Sequence, residues 1–487
     1  MGEPRMRMIS TRGEAGPGAA TPTDAGVSFS AALARGLAPD GGLYLPDRLP
    51  RIPPPVLRRL GDAAASDTGS PAALAEAAQA IVEPFLEHPD DAQLREALPE
   101  LCRQAFSAPI PLQRLDAGSG LLELFHGPTA AFKDFGARFL AGALALEGVP
   151  GAPHRGHVLV ATSGDTGSAV GAAFEGRPGF RVSILFPERG VSERQAHLLS
   201  CFGGEDGNVA SYRVAGTFDD AQGMVKSALA DADLVRTHRL TSANSISLGR
   251  LLPQATWFAH AAMAWQHGTG EAPGFIIPSG NFGHGLAALW ARAMGFPVGP
   301  VHLATNRNRA LVDWVETGEA APRKSVRTPA SAMDVGVPSN LERLRFQVRR
   351  DPGLARDLDA TAVEDAEILE AVGRAPERWG VIACPHTACA LHVLEGHRAR
   401  GDTRGWIVTA TAHPAKFPEI VEPRIGRPVP LPPALTRLLE RPARSQLLGA
   451  DPAALVRVLD GEPRPEGEKR PPEGEKRPEE KRKGANP

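Results

Sequence analysis

Val158-Leu-Val-Ala-Thr-Ser-Gly-Asp-Thr-Gly-Ser-Ala169 is the stretch of sequence that decides the fold. Its hydrophobic strand runs into a turn rich in Ser and Gly, and a helix of small residues follows from about Thr166. Backbone amides at such a turn and helix start point outward and bind an anion. The spacing matches neither GxGxxG nor GxxxxGK followed by Ser or Thr, so it indicates neither a dinucleotide fingerprint nor a P-loop. Taken alone, the stretch is equally compatible with an ordinary strand-to-helix connection.

The region around this stretch, from about residue 105 to 430, alternates apolar strand-like runs with helical stretches. This alternation predicts α/β units around a mainly parallel sheet. The strand candidates are 158–161, 182–186, 275–277, 301–304, 381–383 and 406–410. Before this core, residues 1 to about 100 are rich in Pro, Gly and Ala, with helical patterns at 29–37 and 71–86.

The end of the chain has a different character. Residues 431–461 are predicted to be helical. The charged segment 462–487 repeats Glu-Gly-Glu-Lys-Arg-Pro and contains Ala485 as its only hydrophobic residue. Such a segment cannot bury enough surface to offset the entropy lost on ordering, so it is predicted to be disordered.

Length and composition restrict the class of protein. The 487 residues exceed the ~150 typical of one domain, so two or three packed units are expected. Lys plus Arg number 54 and Asp plus Glu 56, and this near-neutral balance favours neither nucleic acid nor a membrane surface as a partner. The sequence has no apolar run of transmembrane length and no signal-peptide h-region, so the cytoplasm is the expected location. The four cysteines form no CxxC pair, so neither a disulfide framework nor a metal site is expected.

A second stretch, Leu124-Phe-His-Gly-Pro-Thr-Ala-Ala-Phe-Lys-Asp134, contains a lysine in an unusual setting. Thr129 is predicted to cap the helix that follows, and on that helix Asp134 and Arg138 are spaced to pair with each other. Lys133 lies among small side chains and has no acidic neighbour at helical spacing. A lysine in apolar surroundings has a lowered pKa, which suits Schiff-base chemistry. The alternative is a lysine that reaches to water, as most lone lysines do.

Two further stretches complete a pattern. Phe275-Ile-Ile-Pro-Ser-Gly-Asn-Phe-Gly-His-Gly285 repeats the arrangement of a strand, a glycine-rich turn and a helix, and it is a second candidate anion cradle. Trp406-Ile-Val-Thr-Ala-Thr-Ala-His-Pro-Ala-Lys-Phe417 ends a strand in hydroxyls, with Thr411 at the carboxyl end where ligands bind in open α/β sheets. A lysine, a phosphate cradle and a neutral hydroxyl for a pyridine nitrogen are what pyridoxal 5'-phosphate (PLP) requires. Jointly these stretches favour a PLP enzyme.

With these stretches taken together, the sequence resembles the threonine synthase family. Members of this family are PLP enzymes of fold type II, which is also called the tryptophan-synthase-β-like fold. The resemblance runs from about residue 8 to 426 and includes matches at 8–13, 36–44, 216–220, 332–334, 337–340 and 384–388. It implies an α/β protein with two α/β subdomains built on mainly parallel sheets. The implied division is an N-terminal domain at 1–100 and a catalytic core at 101–430, with a smaller subdomain at about 125–262 inserted in the larger. The segments 431–461 and 462–487 follow the core.

The resemblance also implies the residues of the site. Lys133 would carry the cofactor, Asp165 would lie near the ring 3′-oxygen, and Thr411 would face the pyridine nitrogen. The remaining residues implied to hold the cofactor, through its phosphate, are Ser279, Gly280, Asn281, Phe282, Gly283 and His284. The residues implied to hold the substrate are Ser163, Thr166, Gly167, Asn244, Ser245 and Arg250, with Ser245, Arg250 and Thr166 on its phosphate. Without the resemblance, Ser245 and Arg250 would be interpreted as a helix cap and a surface arginine.

The implied reaction converts O-phospho-L-homoserine and water to L-threonine and phosphate, with Lys133 moving protons. Two alternatives stay open at this point: another fold type II lyase such as a serine or threonine dehydratase, and a non-catalytic paralogue that binds PLP or a phosphorylated ligand. His126, His386 and His413 are interpreted as surrounding residues without a general-base role, because a histidine beside a Pro or Gly turn is usually structural. The chain is expected to be a monomer or a homodimer.

Overall fold

The computed structural model describes residues 5–13, 26–146, 156–204 and 207–461. The tail 462–487, predicted to be disordered, lies outside the described residues. Within the described ranges, thirteen strands form three sheets and nineteen α-helices pack around them. No helix in these ranges combines the length and apolar character needed to cross a membrane.

The strands are β1 (Met8–Ser10), β2 (Tyr44–Pro46), β3 (Leu112–Arg114), β4 (Ser119–Glu123), β5 (Gly156–Ala161), β6 (Phe180–Pro187), β7 (Val209–Val214), β8 (Leu240–Ser242), β9 (Gly274–Pro278), β10 (Val301–Thr305), β11 (Leu358–Ala362), β12 (Trp406–Ala410) and β13 (Gln446–Leu448). The helices are α1 (Phe29–Arg35), α2 (Pro54–Ser66), α3 (Pro71–Val82), α4 (Ala92–Ala105), α5 (Lys133–Leu146), α6 (Asp165–Phe174), α7 (Glu193–Ser200), α8 (Phe218–Ala230), α9 (Ala232–His238), α10 (Leu248–Leu251), α11 (Ala255–Thr269), α12 (Gly283–Ala293), α13 (Ala310–Thr317), α14 (Asn340–Arg350), α15 (Asp365–Trp379), α16 (Pro385–Ala399), α17 (Pro418–Ile425), α18 (Pro433–Leu439) and α19 (Pro452–Asp460).

Two sheets are mainly parallel, which confirms the α/β class. The larger has the strand order β11-β10-β9-β12-β4-β3 and is parallel except at the β3–β4 pair. The smaller has the order β13-β7-β6-β5-β8 and is parallel throughout. Strands β5, β9 and β12 are buried along their whole length, as expected of parallel strands covered by helices on both faces. The antiparallel pair β1–β2 lies in the N-terminal region.

The carboxyl ends of three parallel strands lead directly into the segments predicted to form the site. Strand β5 ends immediately before residues 162–167, β9 ends before the glycine-rich loop 279–284, and β12 ends before Thr411. Ligands of open α/β sheets bind outside this end of the strands. The fold therefore presents these three segments at the edge where ligands of open α/β sheets bind.

One expectation about elements is wrong, and a second is incomplete. Residues 381–383 are not a strand: this apolar run is an extended connection into α16, and Pro385 at the start of that helix fixes the end of the run. The segment 431–461 contains the helices α18 and α19, as predicted, and also β13, which joins the smaller sheet as an edge strand beside β7. The division of the chain into domains at residues 100 and 430 stays a prediction.

Candidate active site

Lys133 is held next to the end of β12 by backbone pairing. The residues just before it form an antiparallel bridge, Ala131 to Ala412, with the Phe132 N–H donating to the Thr411 carbonyl at 2.9 Å. This bridge joins the lysine stretch to the hydroxyl-bearing stretch, although the two are far apart in sequence. Thr409 and Thr411 are two residues apart, so their side chains project on the same side of the extended chain. The structure thus brings Lys133 and Thr411 together.

The start of α5 differs from the predicted cap and ion pair. The helix begins at Lys133, and both the N–H and the hydroxyl of Thr129 donate to the Asp134 carboxylate, at 2.9 and 2.6 Å. Arg138 instead donates to the Ser107 hydroxyl at 2.6 Å. The prediction of an Asp134–Arg138 pair is therefore wrong, because the carboxylate turns inward to the loop that precedes it.

Asp165 occupies the first position of α6 and is buried beside Lys133. Its carboxylate Oδ1 lies 2.6 Å from the Nζ of Lys416, a lysine with no exposed surface. Lys416 and then Lys133 outweigh the effect of burial and hold the pKa of Asp165 at about 2. The sequence argument missed Lys416; the only signal in the sequence was its place in the Pro-Ala-Lys-Phe run, five positions after Thr411.

The loop after β9 has the features of a phosphate cradle. The Ser279 hydroxyl is buried and has no hydrogen-bond partner among the described residues. Gly280 is closely approached by another backbone: a Cβ there would lie 2.7 Å from the Met333 Cα. Phe282 adopts a left-handed conformation with φ of 65° immediately before α12, and such strain in a non-glycine residue is typical of functional loops. The first N–H groups of α12 then face the loop, where an anion is favoured.

The predicted substrate segment contacts this loop directly. The Asn281 side-chain amide donates to the Ser245 hydroxyl and accepts from the Ser339 N–H. The Asn340 amide donates to the carbonyls of Ser245 and Asn281, at 3.3 and 3.2 Å. Asn244 contributes a buried side-chain oxygen that has no partner among the described residues. Two candidate anion sites therefore lie side by side.

His284 belongs to the interior beneath the loop. Its ring nitrogens contact the Gln254 side chain at 3.1 Å and the Thr409 hydroxyl at 3.3 Å, and its ring packs on Phe132. Burial lowers the pKa of His284 to about 3, so the ring is neutral at working pH. Both ring nitrogens are engaged by protein, so the His284 side chain supports Phe132 and the interior.

Arg250 is the most informative of the predicted substrate residues. It is only 3% exposed, and its guanidinium donates to the Ala243 carbonyl, while its Nε has no partner among the described residues. The carboxylate that acts on it electrostatically, Asp134, accepts hydrogen bonds from Thr129. Burial lowers the pKa of Arg250 to about 10, which leaves it charged at neutral pH. A buried cation without a paired carboxylate is a place where an anionic ligand is strongly favoured.

The loop 162–167 divides into two parts. Ser163 and Thr166 are half-buried at the turn and remain candidates for ligand contact. Gly167 is packed against protein: a Cβ there would meet Leu199 and Thr162 at 2.5 Å, and its N–H donates to the Thr162 hydroxyl. The close packing explains why glycine is needed at this position, and the assignment of Gly167 to the substrate stays a prediction.

The three histidines set aside as surrounding residues have local partners. His126 contacts Glu123 at 2.7 Å, and His413 accepts from the Ala415 N–H. His386 accepts from the Ala332 N–H, and burial lowers its pKa to about 4. These contacts agree with supporting roles.

These residues fit PLP on structural grounds. A lysine, a loop whose buried Ser279 hydroxyl has no partner among the described residues, and a threonine lie at the carboxyl end of the neighbouring parallel strands β9 and β12. The fold and site define a PLP-dependent enzyme. The sequence profile of the family described as "Pyridoxal-phosphate dependent enzyme" matches residues 107–412, and profiles for the threonine synthase N terminus and C-terminal region match residues 7–106 and 387–459. The chain belongs to the threonine synthase family.

Individual relatives support this placement. The chain is 35% identical to the threonine synthase of Escherichia coli (strain K12) over 434 residues, which is 89% of this chain and 96% of that protein. The crystal structure of threonine synthase from Escherichia coli superposes with a TM-score of 0.79 at 34% identity, covering 89% of this chain and 97% of that one. The PLP-bound threonine synthase from Brucella melitensis gives a TM-score of 0.78 at 31% identity, covering 94% of this chain and 99% of that one.

Gly280→Ala tests the close approach in the phosphate loop. Because the added Cβ would lie 2.7 Å from a backbone atom of Met333, the loop must shift, and overpacking of this kind costs about 1–3 kcal/mol. We expect PLP affinity to fall about 5- to 150-fold, measured by titrating the cofactor absorbance of the full-length protein. The matched control is Gly223→Ala in α8, where nothing lies within 4 Å of the added Cβ. Equal PLP affinity in both variants would contradict the assignment of this loop.

Proposed function

We propose that this enzyme converts O-phospho-L-homoserine and water to L-threonine and phosphate. The choice of substrate rests on Arg250, whose guanidinium is buried and has no carboxylate partner among the described residues. Its segment contacts the cofactor-phosphate loop through the Ser245–Asn281 hydrogen bond. A substrate with a second phosphate group, close to the cofactor, matches this pair of anion sites. The cytoplasm and a monomeric or homodimeric state stay predictions.

The residues divide into those for the cofactor and those for the substrate. We assign Lys133 as the lysine that carries PLP, Asp165 and Thr411 to the ring, and the loop 279–284 to the phosphate. We assign Arg250, Ser245 and Thr166 to the substrate phosphate, where the arginine fork and two hydroxyls supply short, charge-assisted hydrogen bonds. Ser163 and Asn244 are assigned to the remainder of the substrate.

PLP supplies an electron sink that stabilises negative charge at the substrate Cα. The Lys133 amine takes the Cα proton, for which it must be neutral, and its surroundings lower its pKa to about 8. A Cβ proton is then lost, and phosphate leaves Cγ with the electron pair of its C–O bond, while Arg250, Ser245 and Thr166 hold it and stabilise its charge. Cγ takes up a proton to become the methyl group, water adds its hydroxyl at Cβ, and a proton returned to Cα completes threonine. The buried surroundings of Arg250 limit access of other water to the departing phosphate.

The direct test is purified full-length protein with PLP and O-phospho-L-homoserine, with phosphate and threonine measured together. Equal amounts of both products support the proposal. Ammonia release from L-serine or L-threonine, without activity on the phosphorylated substrate, would indicate a dehydratase. A lysine-bound chromophore with no turnover of any of these amino acids would indicate a binding protein.

A further inference from the structure

Lys416 is a fully buried charged residue that the reaction described above does not use. It ends the short turn Pro414–Lys416 after β12 and has 0% exposed surface. Its Nζ lies 2.6 Å from Asp165 Oδ1 and donates to the Thr129 carbonyl at 2.8 Å. Lysine is almost never fully buried unless it is paired, because removing an ammonium from water is costly. Its two partners are the carboxylate assigned to the ring and the loop that precedes Lys133.

Two amines act on the Asp165 carboxylate. Lys416 is in direct contact with it, and Lys133 acts on it more weakly from the start of α5. The same carboxylate raises the pKa of Lys133, whereas burial, Arg250 and Lys416 lower it, with a net value of about 8. Asp165 is therefore the group that favours a charged Lys133, and Lys416 opposes that effect.

The other titratable groups around Lys133 do not take over the roles of Asp165 and Lys416 in setting the charge of its amine. From α10, the charged Arg250 lowers the pKa of Lys133. From α12 and α16, His284 and His386 are neutral because burial lowers their pKa values to about 3 and 4. On α5 itself, Asp134 is engaged by the N–H and hydroxyl of Thr129. Asp165 is thus the carboxylate in the described residues whose charge acts on Lys133, and Lys416 is the cation that touches it.

We propose that Lys416 is a positioning residue that fixes the Asp165 carboxylate and balances its charge, so that this carboxylate does not hold the Lys133 amine as an ammonium ion. The inference deepens the proposed function and rests on it for the role of Lys133. Through the Thr129 carbonyl, Lys416 also ties the turn after β12 to the loop before Lys133. Lys416 therefore positions both the Asp165 carboxylate and the loop that precedes Lys133, and it balances the charge of that carboxylate.

The test is the charge state of Lys133 in variants of the full-length protein. In the cofactor-free chain, the rate at which an amine reagent labels Lys133 is measured against pH, by mass spectrometry of the labelled peptide. Lys416→Met removes the charge at similar size, and an unopposed neighbouring carboxylate typically shifts a pKa by about 1–3 units. We expect the labelling pKa of Lys133 to rise by about 1–2 units. In the PLP-loaded chain, the pH midpoint of the visible absorbance change should move in the same direction.

Two more variants separate charge from structure. Lys416→Arg keeps the charge and should leave the labelling pKa near that of the unmodified chain. The double variant Asp165→Asn with Lys416→Met removes both charges, so its labelling pKa should lie close to that of the unmodified chain. This comparison with the unmodified chain can be made even if Lys416→Met alone is too unstable to purify. The exposed Lys226→Met in α8 is the control for loss of one lysine.

A labelling pKa that is unchanged or lowered in Lys416→Met would overturn the proposal, as would a double variant that keeps the full rise. A merely structural role for Lys416 would lower stability without moving this pKa. The proposed function is tested independently, because labelling of Lys133 needs no substrate. If the unmodified chain releases no phosphate and no threonine, the proposed function fails, but the labelling result still tests the role of Lys416.

Discussion

Lys133→Ala is expected to abolish turnover of O-phospho-L-homoserine and the absorbance of lysine-bound PLP. A positioned acid–base side chain contributes about 10²–10⁴-fold, and here the same residue also carries the cofactor, so kcat should fall by about 10³-fold or more. The measurements are phosphate release and the visible spectrum after addition of PLP. The control is Lys226→Ala, which replaces an exposed lysine of α8 and should behave like the unmodified chain. Retained turnover, or a retained lysine-bound spectrum, would show that Lys133 is not the lysine that carries the cofactor.

The same variant has a pH signature in the cofactor-free protein. Burial lowers the pKa of Lys133 from its usual 10.5 to about 8. Between these values the unfolded chain binds more protons than the folded one, so this lysine makes the free energy of unfolding rise with pH from about 8 to 10.5. The difference in unfolding free energy between the unmodified chain and Lys133→Ala should therefore increase across this window, measured by denaturant titration at each pH. A flat difference would show that Lys133 is not desolvated.

Arg250→Met is expected to give the second largest effect. Each charge-assisted hydrogen bond contributes about 1.5–3 kcal/mol, so losing a two-pronged contact should lower kcat/KM for the phosphorylated substrate by about 10²–10⁴-fold. Removing an unpaired buried charge also relieves desolvation, so we expect the variant to unfold at an equal or higher temperature than the unmodified chain. Inhibition by added inorganic phosphate should weaken in parallel.

The comparison variant for Arg250 is Arg250→Lys, which keeps the charge but loses the fork. It should retain part of the activity, because a lysine binds phosphate as a point charge. If PLP binding falls as steeply as substrate affinity in Arg250→Met, the residue serves the cofactor and the assignment to the substrate is wrong. Unchanged kcat/KM would return Arg250 to a purely structural role.

The sequence by itself determined the α/β class and the PLP cofactor, and it located the segments that are predicted to form the site. Local patterns suffice for these because a buried parallel strand, a glycine-rich turn and a helix of small residues each leave a signal within about ten positions. The resemblance to threonine synthases added the particular residues, and the profile and structural comparisons confirmed the family. The loop 279–284 and the end of β12 stand at one edge, as their positions after predicted strands indicated, whereas the lysine stretch follows β4, a strand that the sequence argument did not include.

Only the tertiary structure decided which of these side chains meet. Lys416 and Thr129 are 287 positions apart, and no periodicity links a lysine after β12 to a carboxylate at the start of α6. The inward turn of His284, the packing of Gly167 and the unpaired state of Arg250 depend in the same way on what the neighbouring elements bring. Pairings of buried charges are set by long-range packing, because desolvation makes any nearby opposite charge the favoured partner whatever its place in the chain.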